Sequence, residues 1–309
     1  MGTAGFRHEA VLYAGTGQFV EHASRFLAPA VSAGEPVLVM TDDRKAAHLR
    51  RALGDRASTV AFADMADLGR NPARIIPAWR DFADTHAASA ALWGIGEPAW
   101  AGRTPAELVE CRHHEALVNL VFADCSRFTL LCPYDVAVLP TDVIEGARST
   151  HPTIHHHDSS QPSAAYTPVD GRGLLAEDLP RPPDVAVQLD FGHDELASVR
   201  RHVERVAVAL GLTGRRVSDM VLAVDEVATN SQRHGGGGVL TTWVDAGNFV
   251  CEVRDRGRLT DPLVGRRYPP ANQIGGRGLW IVNQVCDLVQ IRSSARGTVV
   301  RVHTRVDRR

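Results

Sequence analysis

The chain lacks an excess of charge of either sign. Its 309 residues carry 34 basic and 36 acidic side chains, a formal net charge of −2. That balance excludes the polybasic signature of a nucleic-acid binder, though not a local patch. Its five cysteines are Cys111, Cys125, Cys132, Cys251 and Cys286, and no two form a C-x-x-C pair. A zinc ribbon or thioredoxin-like centre is therefore disfavoured. A disulfide scaffold is not expected at this size, which points to a reducing cytoplasm. No apolar run reaches about 18 residues, so no transmembrane helix is expected. The start, MGTAGFRHEAVLYAG, lacks a basic region with a long apolar run, so no signal peptide is expected. After Tyr13 stands Ala-Gly-Thr-Gly-Gln-Phe, with no lysine. The first half thus has no Walker A loop, and ATP is not expected there.

What is present is an ordinary globular composition, 44% hydrophobic and 23% charged. At about 150 residues per domain, the length predicts two domains. Residues 151–182, HPTIHHHDSSQPSAAYTPVDGRGLLAEDLPRP, are rich in Pro, Ser, His and Gly and show little periodicity. We read them as a linker between domains at 1–150 and 183–309. The run His151, His155, His156, His157 looks metal-chelating on paper but reads as a disordered polar stretch.

The first half alternates short apolar runs with helical stripes. Strands are expected at Ala10–Tyr13, Pro36–Thr41, Thr59–Phe62, Ala90–Ile95 and Phe128–Cys132. Phe19, Ala23, Phe26, Ala30 and Val31 form one helical stripe; Ile75, Ile76, Trp79, Phe82 and Ala83 form another. Thr104-Pro105-Ala106-Glu107 is a capping box with proline at N1, opening a helix over 104–122. The alternation predicts an α/β domain with a mostly parallel sheet. The second half starts with a strand at Val185–Leu189. Helices follow on Leu196–Leu210 and about Arg215–Arg233, then a hairpin turning at Asp245–Asn248. A helix after Gly278 and a hairpin turning at Ala295-Arg296-Gly297 complete a two-layer α/β sandwich, expected to hold a mixed sheet.

The helix RRVSDMVLAVDEVATNSQRHGGGG carries the first chemical signal. Val217, Val221, Val224 and Ala228 share one face, and at about 100° per residue Glu226 and Asn230 share the opposite one. A carboxylate and a carboxamide at that spacing suit Mg²⁺ and a water beside a phosphate. A solvated polar face is the other reading. Asp255, followed by Arg256-Gly257, ends a strand where it can accept from an exocyclic amine, and Gly257 lets a base approach. A plain strand-to-turn exit has the same composition. Gly275-Gly276-Arg277-Gly278 runs straight into an amphipathic helix, whose free N–H groups suit phosphate oxygens.

In this order and spacing the three segments resemble the nucleotide site of the Bergerat-fold (GHKL) ATPases. The continuation Asn230-Ser-Gln-Arg-His234-Gly235 and the run Asp255 to Pro262 resemble the anti-sigma-factor serine kinases among them. The resemblance covers about residues 185–306, including the final glycine hairpin Gly297 to Val302. It implies ATP and Mg²⁺ as ligands. Glu226 would polarise the attacking hydroxyl and Asn230 would hold Mg²⁺. Asp255 would read the adenine amine with Gly257 beside the base and Thr298 in support. Gly275, Gly276 and Gly278 would form the lid hinge and the phosphate-binding helix start. The lid would be Leu263–Ile274; its Arg266 and Arg267 either meet phosphate charge or form a solvated basic loop. Ser231 departs from the small apolar residue common after the motif Asn.

The first half has a resemblance too. His8 to Tyr13, Ala33 to Val39, Gly94-Ile-Gly-Glu97-Pro and Leu130-Leu-Cys132-Pro-Tyr134 resemble the MEDS sensory domain. That family implies a P-loop-like α/β core without its phosphate loop, over about residues 6–148. In an open α/β sheet, ligands bind at strand C-terminal ends. The sensory-pocket candidates are Tyr13, Glu97, Cys132 and Tyr134, each of which packing or capping also explains. His8, His113 and His114 offer metal ligands, with Glu110 three residues before His113, but no third ligand is evident there.

Together these imply a cytoplasmic anti-sigma regulator. It would bind a sigma factor, phosphorylate a serine of an anti-anti-sigma STAS protein, and answer to a small molecule at its sensory domain. No nucleic-acid or membrane partner is expected; a homodimer is compatible. The alternatives are a non-catalytic ATP-binding adaptor and a sensor histidine kinase. The latter lacks long paired helices with a phosphoacceptor histidine before residue 185.

Overall fold

A computed structural model describes residues 5–156, 159–270 and 276–306. The chain divides into two compact units, Met1–Val169 and Asp170–Arg309.

The first unit runs β1 (Arg7–Tyr13), α1 (Gly15–Ala33), β2 (Val37–Thr41), α2 (Asp43–Leu53), β3 (Val60–Asp64), α3 (Met65–Leu68), α4 (Ile75–Thr85), β4 (Leu92–Gly96), α5 (Pro105–Val121), β5 (Phe128–Asp135), α6 (Thr141–Thr150), β6 (Thr153–His156) and β7 (Ser159–Pro162). Its sheet has the order β3-β2-β4-β5-β1-β6-β7. All pairs are parallel except β6 with β7. The five expected strands all form. Every residue of β5 is buried, as a central strand covered on both faces must be. The capping box of α5 forms as read: Glu107 N–H donates to Thr104 Oγ1, and Thr104 N–H donates to Glu107 Oε2 at 2.6 Å.

Part of the expected linker is not irregular chain. Residues 153–156 and 159–162 form the antiparallel strands β6 and β7 and lengthen the first sheet, with Ile154 buried against it. Their polar composition hid this because backbone pairing along the β1 edge needs no apolar side chains. The reading of His151 as disordered fails with it: His151 is fully buried at the end of α6. His155 faces Glu9, 3.5 Å away, and Ser160, 3.3 Å away. His157 lies outside the described residues.

The second unit runs α7 (Arg172–Ala176), β8 (Val187–Phe191), α8 (Leu196–Ala209), α9 (Arg215–Gly235), β9 (Gly238–Asp245), β10 (Asn248–Asp255), α10 (Gly278–Val285), β11 (Leu288–Ser294) and β12 (Gly297–Arg305). The sheet order is β11-β12-β10-β9-β8. Its pairings are antiparallel throughout, not mixed. Two-residue hairpin turns join β9 to β10 and β11 to β12, and such turns force antiparallel neighbours. Ala246 and Gly247, at φ 46° and 78°, make the first of these turns.

Helices α8, α9 and α10 cover one face of this sheet. Val199, Val203, Met220, Val224 and Val282 pack there on Leu240, Phe249, Cys251, Val253 and Val300. The packing fixes the roll of α9, leaving Glu226 and Asn230 only half-buried. Buried polar pairs lie elsewhere on the sheet: Arg301 binds Glu252 at 2.6 Å, and His303 meets Gln290 at 3.2 Å. Among the described residues, no helix is long and apolar enough to cross a membrane.

Candidate functional site

In the second unit, the last turns of α9, the end of β10, the start of α10 and the start of β12 converge. They enclose a cavity of about 220 Å³. Asn230, Asp255, Gly257, Gly276, Gly278 and Thr298 line it, with Ser231 and His234 from α9 and Val264 from the following loop. Glu226 stands at its edge beside Gly278, where an added β-carbon would lie 2.6 Å from Glu226 Oε2 and 3.4 Å from Asn230 Nδ2. Seven of the eight expected nucleotide-site residues are therefore together. Gly275 lies outside the described residues, as do residues 271–274 of the expected lid.

Asp255 is held at both oxygens. Its Oδ1 accepts from Gly257 N–H at 2.6 Å, and its Oδ2 accepts from the Ser231 hydroxyl at 2.6 Å. Thr298 Oγ1 donates to the Gly257 carbonyl at 2.9 Å and meets Ser293 Oγ at 3.1 Å. The carboxylate is thus fixed in direction while keeping lone pairs for a donor in the cavity. Ser231 belongs to the site; it is not merely a departure from a motif. It sits one residue past Asn230 on the buried side of α9, and no sequence pattern tied it to Asp255. Gly235 was also missed: a β-carbon there would come within 2.8 Å of Asp255 Cβ.

Beyond β10, Arg266 is 8% exposed, so the reading as a solvated basic loop fails for it. Arg267 is exposed and pairs with Asp261 at 3.0 Å.

The four sensory candidates fall into two separate clusters. In the first, the Tyr13 hydroxyl donates to Glu97. Thr41 donates to the same carboxylate at 2.7 Å and Lys45 at 2.6 Å. Burial pushes the Glu97 carboxyl up despite the opposing pull of Lys45. Burial, then Glu97, pushes the Tyr13 phenol far up.

The second cluster surrounds Glu115 on α5. Cys132 Sγ lies 3.4 Å from Glu115 Oε2, and the Tyr134 hydroxyl donates to Oε1 at 3.2 Å. His8 and His151 join it, with Nε2 atoms 3.0 and 3.4 Å from Oε2. Burial raises the Glu115 carboxyl, but His151 and His8 outweigh it and hold the group well below the usual range. Burial, then Glu115, raises the Cys132 thiol and the Tyr134 phenol. His113 does not join; it stays 3.8 Å from Glu110. Tyr134 also lines a neighbouring cavity of about 370 Å³ with Cys111, Ala147 and Thr150. Glu115 itself was missed. The signal was there: Cys111, Glu115 and Val118 form one buried stripe of α5, and a carboxylate in such a stripe demands partners.

Residues 7–152 match the family model of MEDS, the methanogen/methylotroph, DcmR sensory domain. Residues 192–304 match that of the histidine kinase-like ATPase domain. The chain joins a MEDS domain to a histidine kinase-like ATPase domain. The ATPase domain's antiparallel sheet under three helices fits the GHKL α/β sandwich. A search of curated proteins found no significant match. Among solved structures, one similar chain is the crystal structure of the RsbU and RsbW domains of Rv1364c from Mycobacterium tuberculosis. It is 21% identical, with a TM-score of 0.31; the match covers 42% of this chain and 34% of that one. This chain thus spans about a third of that relative's length.

Proposed function

We propose that the ATPase domain binds ATP with Mg²⁺ and phosphorylates a serine of an anti-anti-sigma STAS partner, in the cytoplasm, while alternately holding a sigma factor. The observation that carries this reading is the convergence of Glu226, Asn230, Asp255, Gly257, Gly278 and Thr298 on one cavity. Asp255, fixed by Ser231 and Gly257, accepts from the adenine amine. Gly257 and Thr298 form the floor beside the base. The N–H groups opening α10 face the phosphates. Glu226, next to Gly278, takes the proton of the serine hydroxyl as its oxygen bonds to the γ-phosphorus and the bond to ADP breaks. The half-buried Asn230 carboxamide suits Mg²⁺, a hard cation that keeps most of its waters. Held there, Mg²⁺ would supply charge neutralisation at the phosphates.

The runs Asn230 to Gly235 and Asp255 to Pro262 support the anti-sigma type within this fold. The MEDS domain biases the choice between partners, which requires a ligand with different affinity for two states. The test uses the full chain with ATP–Mg²⁺, candidate sigma factors and STAS proteins, and phosphosite mapping. We expect ATP binding, a phosphoserine on the STAS protein, and loss of transfer but not of binding in Glu226→Ala. Absence of binding at millimolar ATP overturns the reading. Binding without transfer by the wild type replaces the kinase with an adaptor.

A further inference from the structure

We propose that His8, Glu115, Cys132 and His151 of the MEDS domain form a closed four-ligand site for a borderline-soft divalent ion of the zinc type. The four come from β1, α5, β5 and the residue after α6, and each is at most 1% exposed. Their ligand atoms all lie within 4.8 Å of one another. His8 Nε2 is 3.0 Å from Glu115 Oε2 and 3.3 Å from Cys132 Sγ. Glu115 Oε2 is 3.4 Å from both Cys132 Sγ and His151 Nε2. With metal–nitrogen and metal–oxygen bonds near 2.0 Å and metal–sulfur near 2.3 Å, the edges of a tetrahedral shell are about 3.3–3.6 Å. Four of the six separations, 3.0–3.4 Å, lie near those edges already, and the remaining two, from His151 to His8 and to Cys132, are within 4.8 Å.

The surroundings point the same atoms inward. His8 Nδ1 is taken by Asn119 Oδ1 at 3.0 Å, leaving Nε2 to the centre. His151 Nδ1 is taken by the Ala147 carbonyl at 2.8 Å. Its Nε2 is buried without a hydrogen-bond partner. Tyr134 holds Glu115 Oε1, leaving Oε2 to the centre. Outer partners of this kind fix the tautomer and orientation of metal-bound histidines and carboxylates. Two imidazoles, a thiolate and one carboxylate, closed to solvent, select zinc over magnesium or calcium. On binding, the Cys132 sulfur bonds to the ion and its proton leaves to solvent; nothing is oxidised or reduced. A bound ion ties the end of α6 to β1, β5 and α5.

The test is metal analysis of the full chain, purified without a histidine tag and reconstituted with Zn²⁺ alone. We expect about one tightly held equivalent per chain, and a melting temperature about 5 °C or more lower after chelation. Cys132→Ala and His151→Ala should each lose the ion. Should those variants fail to fold, Co²⁺ in the wild type still decides: sulfur-to-cobalt charge transfer and intense tetrahedral bands are expected. Zn²⁺ below a tenth of an equivalent, octahedral Co²⁺ without thiolate charge transfer, or full Zn²⁺ retention in Cys132→Ala overturns the site. None of these outcomes depends on ATP binding by the other domain.

Discussion

Replacing Gly278 by alanine separates the position of Glu226 from the stability of the fold. The new β-carbon would stand 2.6 Å from Glu226 Oε2. Ordinary contact begins near 3.4 Å, so the carboxylate must retreat by about 0.8 Å. Glu226 is half-buried and its carboxylate is the end of a flexible chain, so the retreat costs little stability. Gly278 is not among the positive-φ glycines, so alanine fits the backbone. Alanine is also the better helix former, by up to about 1 kcal/mol inside a helix. The melting temperature should hold or rise slightly. Reaction geometry is less forgiving: a misplacement of about 1 Å costs on the order of 100-fold in rate. We expect γ-phosphoryl transfer to a STAS protein to slow by about 10- to 100-fold. On the proposed reading Asp255 anchors the base away from Gly278, so ATP affinity should change by less than about threefold, on the order of 0.6 kcal/mol. Transfer kinetics, titration with a fluorescent ATP analogue and calorimetry together read the three quantities. Wild-type transfer in Gly278→Ala would refute the reasoning, as would a collapse of the melting temperature.

Other outcomes follow from the same geometry. Ser231→Ala removes a 2.6 Å bond to the Asp255 carboxylate; a charge-assisted bond of that kind contributes about 1.5–3 kcal/mol. Urea unfolding should show a loss of that order, and the ATP dissociation constant should rise several-fold. Gly297 sits at φ 120°, and a β-carbon there would overlap the Asp255 carbonyl oxygen. Gly297→Ala should therefore lower stability by about 3 kcal/mol or more, read from the urea midpoint. Burial pushes the Cys111 thiol up to about 12 from 9.0, only partly offset by Arg103. Brief alkylation of the native protein at pH 8 should modify the half-buried Cys125 ahead of the four buried cysteines, as mass spectrometry will read. The unfolded Cys111 thiol ionises first, so its contribution to stability should fall as pH rises from about 9 towards 12.

Local rules read the elements well where each residue's own neighbours decide the outcome. The Thr104 capping box, the Ala246-Gly247 turn and the spacing of Glu226 to Asn230 are set within a few residues, and all three form. The convergence of Asn230, Asp255, Gly257, Gly278 and Thr298 on one cavity was legible for the same reason: these residues sit at element ends that glycines punctuate. Pairing between distant strands was not legible. Nothing local says that 153–156 and 159–162 extend the sheet beside β1, or that β8 pairs antiparallel with β9 and β10 with β12. Strand-end position also proved a weak guide to a shared pocket. Tyr13 and Glu97 meet each other, while Cys132 and Tyr134 meet Glu115. Residues on different strands converge only if a helix residue draws them together, and that residue must be found on the helix.

Glu115 is such a residue, and its cost explains the company it keeps. An ionised carboxylate at 1% exposure is strongly destabilising unless charges and donors surround it. His8, His151, Cys132 and Tyr134 supply them, each from a different segment. Removing the carboxylate would not relieve the site, because it would strand two buried imidazoles. The cluster is therefore cooperative, and substitutions within it should not be additive. The cavity of the second unit is arranged differently. Asp255 is half-buried, held by one hydroxyl and one backbone N–H, and bordered by a cavity on its open side. Asp255 keeps an open side towards that cavity, whereas Glu115 Oε2 faces only His8, His151 and Cys132, the closed donor set proposed above for a resident ion.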